Sequence, residues 1–387
     1  MDRTRKIVLL VSPHCQLMRG LIRGIIKYSR IQGNWIFYRC IKYRDPEGND
    51  RLLSLLRDWK PDGIIMHESP FINEIIAVGI PTISYPYSVP KIPTISNIVT
   101  DHAEIGITAA KYLLNKGFKN FAYCGFDDWW LSQIRGEYFS KTLAEAGYST
   151  IFYKQPHEKS NLAWDKEPEI ISKWLLTLPK PIGIMACNDD RGEMVTRACK
   201  IANLQVPDEI AIVGVDNDPL ICDLCDPPLS SIALSTEKAG YEASVLLDKM
   251  IDNKECSDLE IQIRPTHVEE RQSTDILAID DPHIITAVRF IRQHSKRVIQ
   301  VSDVVNSVPL SRRMLEKRFR MIVGHSIHDE IRNVRIDQVI RMLAETEMSI
   351  NEISQVLGFN ETAHLSRFFK REKGMSPQLY RKTFLRK

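Results

Sequence analysis

Residues 350–381 read INEISQVLGFNETAHLSRFFKREKGMSPQLYR, and the rest of the chain is organised around them. Apolar side chains at Ile350, Ile353, Val356 and Leu357 recur at the spacing of one helical face. Gly358 takes a left-handed conformation at no steric cost, so it ends that helix. Asn360 has the side chain of an N-cap. The helix that follows is expected to turn Ala363, Leu365, Phe368 and Phe369 inward. Its other side carries Glu361, Thr362, His364, Ser366, Arg367, Lys370 and Arg371. Two short helices joined by a tight turn, the second apolar on one side and polar-basic on the other, have the layout of a DNA-reading helix-turn-helix. Taken alone, the stretch fits a surface helical hairpin about as well.

Two further observations decide between these readings. The first is an internal repeat. Residues 301–326, VSDVVNSVPLSRRMLEKRFRMIVGHS, have the same layout. Val301, Val304 and Val305 stand for the first helix, and Pro309-Leu310 replaces the Gly-Phe turn. Ser311 caps a helix with Leu315 and Phe319 inward and Arg312, Arg313, Glu316, Lys317 and Arg320 outward. Gly324-His325-Ser326 parallels Gly374-Met375-Ser376, and between the copies residues 327–346 read as one long helix. The second observation is charge. Residues 282–387 hold 20 Lys/Arg against 10 Asp/Glu, whereas residues 1–281 hold 32 against 39. A net charge near zero hides a basic module on an acidic body, the footprint of nucleic-acid binding.

The doubled pattern, with SINEISQVLGF followed by LSRFFKREKGMSPQLYR, resembles the AraC-family DNA-binding domain over roughly the last quarter of the chain. The resemblance implies two reading helices in successive major grooves, about 34 Å apart, spaced by the long helix. Arg312, Arg313, Glu316 and Lys317 are then the candidates to face DNA from the first helix, and Glu361, Thr362, His364 and Arg367 from the second. Lys370, Arg371 and Lys373 are better suited to phosphates.

The remainder is a different kind of chain. With 43% apolar residues it is globular, and no apolar run is long enough to span a bilayer. Ile7–Val11 is too short for a signal-peptide core, so a cytoplasmic protein is expected. Eight scattered cysteines suit reduced, buried thiols; Cys222 and Cys225 have C-x-x-C spacing but no second ligand pair, so no metal is expected. Short apolar strands alternate with helices: 6–11, 35–40, 63–67, 81–85, 121–125, 182–186, 210–215 and 260–264 are strands. Helices are expected at 16–30, 51–59, 101–115, 132–146, 167–177, 191–202 and 237–251. This alternation makes parallel sheets covered by helices, and so many strands suit two doubly wound lobes.

Ligands of such folds sit at the carboxyl ends of strands. Those ends read Ser12-Pro13-His14, His67-Glu68-Ser69, Phe126-Asp127-Asp128, Asn188-Asp189-Asp190 and Asp216-Asn217-Asp218, with Trp129 and Trp130 close by. Carboxylates and amides that pair with vicinal hydroxyls, beside aromatic faces for a sugar's C–H side, suit a neutral polyol. No glycine-rich phosphate loop follows any strand, so no nucleotide cofactor is expected. Asp127-Asp128 and Asp189-Asp190 are adjacent pairs whose side chains point apart, which argues against paired-carboxylate catalysis and against an enzyme.

The stretches TDHAEIG (100–106), ACNDD (186–190) and LQVPDEIAIVGVDND (204–218) resemble the effector domain of LacI-type regulators and periplasmic sugar-binding proteins. This covers nearly all of residues 6–270. The sequence opens on the first strand, where LacI-type chains usually carry a helix-turn-helix before it, so DNA binding is expected from the other end. The resemblance implies ligand contacts at Arg135, Asn188 and Asp216, with Asp189 a contact or a helix cap and His14, Glu68 and Trp129 in suitable places. Ala233-Leu234 stands where related chains carry a polar contact, so that contact is lost. The fold class expected is a two-lobed α/β periplasmic-binding-protein-like domain (1–275), a linker (276–283) and an all-α double helix-turn-helix domain (284–387). The expected function is a sugar-responsive regulator, with operator DNA and a sugar as partners. The combination of domains, with VEERQSTD at 268–275, resembles regulators of xylose utilisation, and that resemblance implies D-xylose as effector, activation of pentose genes, a homodimer and contact with RNA polymerase. The alternative is a first domain that answers another sugar or only dimerises.

Overall fold

The computed structural model describes residues 4–32, 34–39, 46–155, 166–253, 258–275, 281–295, 297–346 and 348–382. It divides into two compact units, Met1–Asp275 and Ile276–Lys387.

The first unit holds two sheets. Its strands are β1 (Arg5–Leu10), β2 (Trp35–Arg39), β3 (Gly63–His67), β4 (Thr82–Tyr85), β5 (Ser96–Thr100), β6 (Phe121–Cys124), β7 (Thr150–Phe152), β8 (Ile182–Ala186), β9 (Ile210–Val215), β10 (Ser230–Leu234), β11 (Glu260–Ile263) and β12 (Pro265–Glu269). The first lobe has the order β11-β5-β4-β3-β1-β2 and the second β12-β10-β9-β8-β6-β7. Described pairs are parallel except β10 with β12, which runs antiparallel with a register shift between Ala233 and Leu234. The chain crosses between lobes three times: after β5, between β10 and the Thr236–Asn253 helix, and between β11 and β12.

Central strands such as β3 and β8 are buried at every residue, as continuous apolar runs require when helices cover both sheet faces. On one face of the first sheet Ile7, Leu9, Ile65 and Ile83 meet Leu21 and Ile25 of the Gln16–Ile31 helix and Leu247 of the Thr236–Asn253 helix. On the other, Val8, Leu10, Ile64 and Met66 meet Leu52, Leu56 and Ile75. Each fully buried aliphatic side chain contributes about 1.5–3 kcal/mol relative to exposure.

Four strands escape the sequence reading: β5, β7, β10 and β12. β5 begins Ser-Asn, β10 begins Ser-Ser, and β12 opens on proline at a sheet edge. Their pairing is decided by neighbours in the sheet rather than by apolar content. Position 40, expected at the end of β2, lies outside the described residues, as do the expected linker residues 276–280 and Cys256.

Where the chain leaves the first unit it is pinned to the second lobe. Arg271 donates to the Leu229 carbonyl at 3.0 Å and to Asn217 Oδ1 at 2.8 Å. Ser273 Oγ donates to the Ile212 carbonyl at 2.6 Å, and Thr274 Oγ1 to Ser230 Oγ at 2.6 Å. Ser273 and Thr274 are fully buried.

In the second unit, helices Val301–Asn306 and Arg312–Val323 form one pair, and Ile350–Val356 and Thr362–Lys373 the other. Each pair has its own core. Leu315, Phe319, Val304 and Ile331 centre the first, and Leu365, Phe369, Ile353 and Val339 the second. The Ile327–Glu345 helix supplies residues to both cores; its 19 residues span about 28 Å. Capping boxes at Ser326 and Ser349 fix where it and the next helix start. Ser311 caps the Arg312–Val323 helix as expected, and Gly358 turns left-handed at φ 66°. Gly324 and Gly374, at φ 87° and 75°, end the two copies at equivalent places, as the repeat requires.

Two details differ from the sequence reading, and Arg381 adds a third feature it did not address. Glu361, not Asn360, is the N-cap residue of the Thr362–Lys373 helix, and its side chain makes no cap bond. Ala363 and Val356 are exposed, because each lies on the margin of a face whose centre is filled by Leu365 and Phe369 or by Ile353 and Leu357. Arg381 is buried, with Nε on the Leu343 carbonyl at 3.1 Å and Nη1 on the Met348 carbonyl at 2.6 Å. It closes the carboxyl end of the long helix, where orphan carbonyls favour a cation.

Candidate functional site

In the first unit the ends of β3, β4, β6, β8 and β9 bring polar and aromatic side chains together between the lobes. From the first lobe, rings run from His14 to His67 (6.4 Å between centroids) and from His67 to Tyr85 (5.7 Å) and Tyr87 (5.9 Å). Tyr87 then meets Trp129 of the second lobe edge-on at 5.8 Å. Trp130 Nε1 donates to the Tyr87 carbonyl at 2.7 Å, and Arg19 pairs with Asp218, so polar bonds also join the lobes.

Arg135 lies on the Trp130–Glu145 helix and is 3% exposed. Its Nε donates to His102 Nδ1 at 3.2 Å and its Nη1 to the Cys187 carbonyl. The helix reaches this position because Gly106 of the His102–Asn115 helix lets it approach: a Cβ at residue 106 would lie 2.4 Å from the Arg135 carbonyl oxygen.

Asp216 follows β9 with φ 102°, a left-handed conformation tolerated by few side chains. Its Oδ1 is buried with no hydrogen-bond partner. Burial raises its pKa from 3.8 to about 6 against the pull of Arg135, and Asp190 and Asp218 add to the rise. A buried, unpartnered carboxylate oxygen beside a guanidinium is costly unless something binds there. Asp190 is also raised, by burial and by Asp218, and is drawn back by His14, which places His14 beside the same cluster.

Other expected site residues are otherwise engaged. Asn188 is the N-cap of the Asp189–Ile201 helix, its Oδ1 accepting from the Arg191 amide at 3.0 Å. Asp189 is neither that cap nor open to a ligand: it is 2% exposed, Oδ1 accepts from Ser231 Oγ at 2.5 Å and Oδ2 from the Asp218 amide at 2.7 Å. It ties the ends of β8, β9 and β10 together, and burial holds its pKa well above the ordinary carboxylate range. Glu68 accepts from the amides of Tyr87 at 2.6 Å and Ser88 at 2.7 Å and from the Ser88 hydroxyl. Burial works to raise its pKa, yet the bonds from Ser88 and Tyr87 outweigh it and leave the carboxyl below its usual value. Glu68 therefore shapes the turn that presents Tyr87. The sequence reading missed His102, Tyr85, Tyr87 and Arg19 and quoted Asp218 only within a strand end; for His102 the signal was its place at a helix start. Cys222 and Cys225 are buried free thiols whose pKa values burial pushes up, that of Cys225 to about 12, which disfavours thiolate chemistry at either.

In the second unit Arg312, Arg313, Glu316 and Lys317 are exposed on one helix and line a single groove with Arg320 and His328. Arg312 Nε pairs with Glu316 at 2.9 Å, one turn on. In the second copy Glu361, His364 and Arg367 are exposed. Thr362 is half-buried and its Oγ1 donates to Asn351 Oδ1 at 2.8 Å, so part of its capacity joins the two helices of its pair. His364 rests edge-on against Phe359 at 5.6 Å, and Phe359 lies beneath the Arg335 guanidinium at 4.3 Å. Paired helices, each with an exposed basic face, fit DNA grooves.

A family model described as a periplasmic binding protein-like domain matches residues 110–274, and one described as a helix-turn-helix domain matches residues 304–383. The chain is 30% identical to the xylose operon regulatory protein of Escherichia coli (strain K12) over 390 residues, covering 98% of this chain and 97% of the relative. It is 31% identical to the protein of the same name from Haemophilus influenzae, covering 97% and 98%. Its structure is similar to that of the xylose-binding transcription activator XylR, with 28% identity, a TM-score of 0.62 and 98% coverage of both chains. A CelR–cellobiose complex shares the fold of the first unit at 20% identity and a TM-score of 0.55, over 70% of this chain and 86% of that one. With a cleft of polyol-binding character on one unit and paired DNA-reading helices on the other, the chain belongs to the xylose operon regulator family of sugar-responsive, DNA-binding transcription regulators.

Proposed function

We propose that residues 1–275 bind D-xylose in the cleft around Arg135 and Asp216, and that residues 284–387 then engage an operator and activate pentose-utilisation genes. The observation that carries the sugar reading is Asp216 Oδ1, buried and unpartnered, in the electrostatic reach of the Arg135 guanidinium. A carboxylate and a guanidinium together accept from and donate to neighbouring hydroxyls, and Trp129 beside Tyr87 supplies the aromatic wall. That the full-length relatives are xylose regulators favours xylose among sugars. His14 and Asn188 stand at the margin of this site. On DNA, Arg312, Arg313, Glu316, Lys317, Glu361, Thr362, His364 and Arg367 form the reading surface. The protein works in the cytoplasm as a homodimer that contacts RNA polymerase, and it catalyses no reaction; residues 276–283 join the two domains.

The mechanism is a population shift. Sugar favours the lobe arrangement it fits best, and it alters DNA affinity only by the difference in its affinity for the two arrangements. Isothermal titration with D-xylose, L-arabinose, D-ribose and D-glucose tests the effector. Titration of D-xylose with and without a duplex selected from a random library tests the coupling. Tightest binding of D-xylose, strengthened by DNA, is expected; equal affinity with and without DNA would remove the coupling.

A further inference from the structure

Arg135 is a buried cation held by neutral partners. Its two hydrogen bonds go to an imidazole and a peptide carbonyl, not to a carboxylate. An arginine has five N–H donors, so three remain after these two. The guanidinium never gives up its proton, so Nε must donate and His102 Nδ1 must accept. The imidazole proton then sits on Nε2, and the ring carries no charge. His102 opens its helix at 6% exposure and meets the Trp130 ring edge-on at 5.1 Å. Trp130 is itself the residue that bonds across to the first lobe.

We propose that His102 is a positioning residue for the sugar site: it aims Arg135 through a neutral acceptor and leaves the guanidinium charge unspent for the ligand. The inference rests on the sugar reading of the cleft. A carboxylate at the same position would orient Arg135 as well, but it would neutralise the charge and compete with the sugar for the remaining donors. An aliphatic residue would leave Nε without an acceptor. Burial, with Arg135 adding to it, pushes the His102 pKa down to about 2, so the ring stays an acceptor throughout the physiological range.

Three full-chain variants separate acceptor, charge and shape: His102→Gln, His102→Leu and His102→Asp. D-xylose is titrated calorimetrically into each and into Arg135→Ala. His102→Gln should hold affinity within about threefold, whereas His102→Leu and His102→Asp should each lose tenfold or more while melting within a few degrees of wild type. Two results overturn the proposal: His102→Leu binding like wild type, or His102→Gln as defective as His102→Leu. Histidine-ring 15N spectra of the wild-type chain decide the contact without sugar. The proposal requires a protonated Nε2 and a bare Nδ1, and a proton on Nδ1 overturns it. If Arg135→Ala binds D-xylose like wild type, the placement of the sugar fails instead, and the ring spectrum still decides the His102 contact.

Discussion

Replacing Asp216 by Asn should make the sugar-free effector unit more stable and worse at its task. Asn keeps the shape of Asp and tolerates the left-handed conformation at φ 102°, so the change acts on charge alone. In the folded protein burial holds the carboxyl at about 6 rather than 3.8, even with Arg135 close by. Between those two values the folded state keeps a proton that the unfolded chain has released. Stability is therefore greatest below that window, falls across it as pH rises from about 4 to 6, and levels off above. At roughly 1.4 kcal/mol per pH unit, the loss by pH 8 is on the order of 3 kcal/mol. All six tryptophans lie at positions 35, 59, 129, 130, 164 and 174, so urea unfolding followed by tryptophan fluorescence reports on the first unit alone. The wild type should lose stability between about pH 3.5 and 7 by an amount of that order (~3 kcal/mol), about half of it above pH 5, and Asp216→Asn should not. A sugar hydroxyl that donates to the ionised carboxylate makes wild-type D-xylose affinity rise over the same window, and the variant should bind weakly at every pH. Parallel stability profiles for the two proteins, or unchanged sugar affinity in the variant, would refute this account of Asp216.

Gly106→Ala should loosen the Arg135 helix, since its Cβ would meet a carbonyl oxygen at 2.4 Å; a stability loss of about 1–3 kcal/mol and weaker D-xylose binding are expected by the same fluorescence and calorimetric measurements. Arg381→Ala uncaps the long helix and should destabilise the second helix-turn-helix by about 2–3 kcal/mol, seen as an earlier far-ultraviolet circular dichroism transition while the tryptophan transition stays in place. Arg313→Ala should relax base preference at one operator position by about 1–3 kcal/mol in a binding selection; uniform weakening across sequences would make it a phosphate contact. Phe369→Ala should cost about 3–5 kcal/mol, because Phe369 is fully buried at the centre of the second pair's core, and DNA affinity should fall with folding.

What could be read before the structure was known follows a physical divide. Central strands such as β3 and β8 announce themselves because burial on both faces demands continuous apolar runs. The helix-turn-helix repeat is equally plain, since each copy must bury its own core residues at fixed spacing. β5 and β12 were invisible because partners elsewhere in the sheet, not their own side chains, make them strands. The same limit applies within the cleft. Arg135 and Asp216 follow from their places on the chain, whereas His102 matters only because the helix it opens lies against another one 30 residues on. Asp189 looked like a ligand group from its neighbours in sequence. Only Ser231 and the Asp218 amide, far along the chain, show that its oxygens are occupied.

The stitching of residues 271–274 to β9, β10 and Asn217 has a mechanical consequence. The chain leaves the first unit bolted to the plate that carries Arg135 and Asp216, and Asn217, the residue next to Asp216, is one of the bolts. On the proposed site, movement of that plate is carried to residue 274 by these bonds. For the proposed sugar site, the connection to residue 274 thus begins at Asn217, one residue from Asp216.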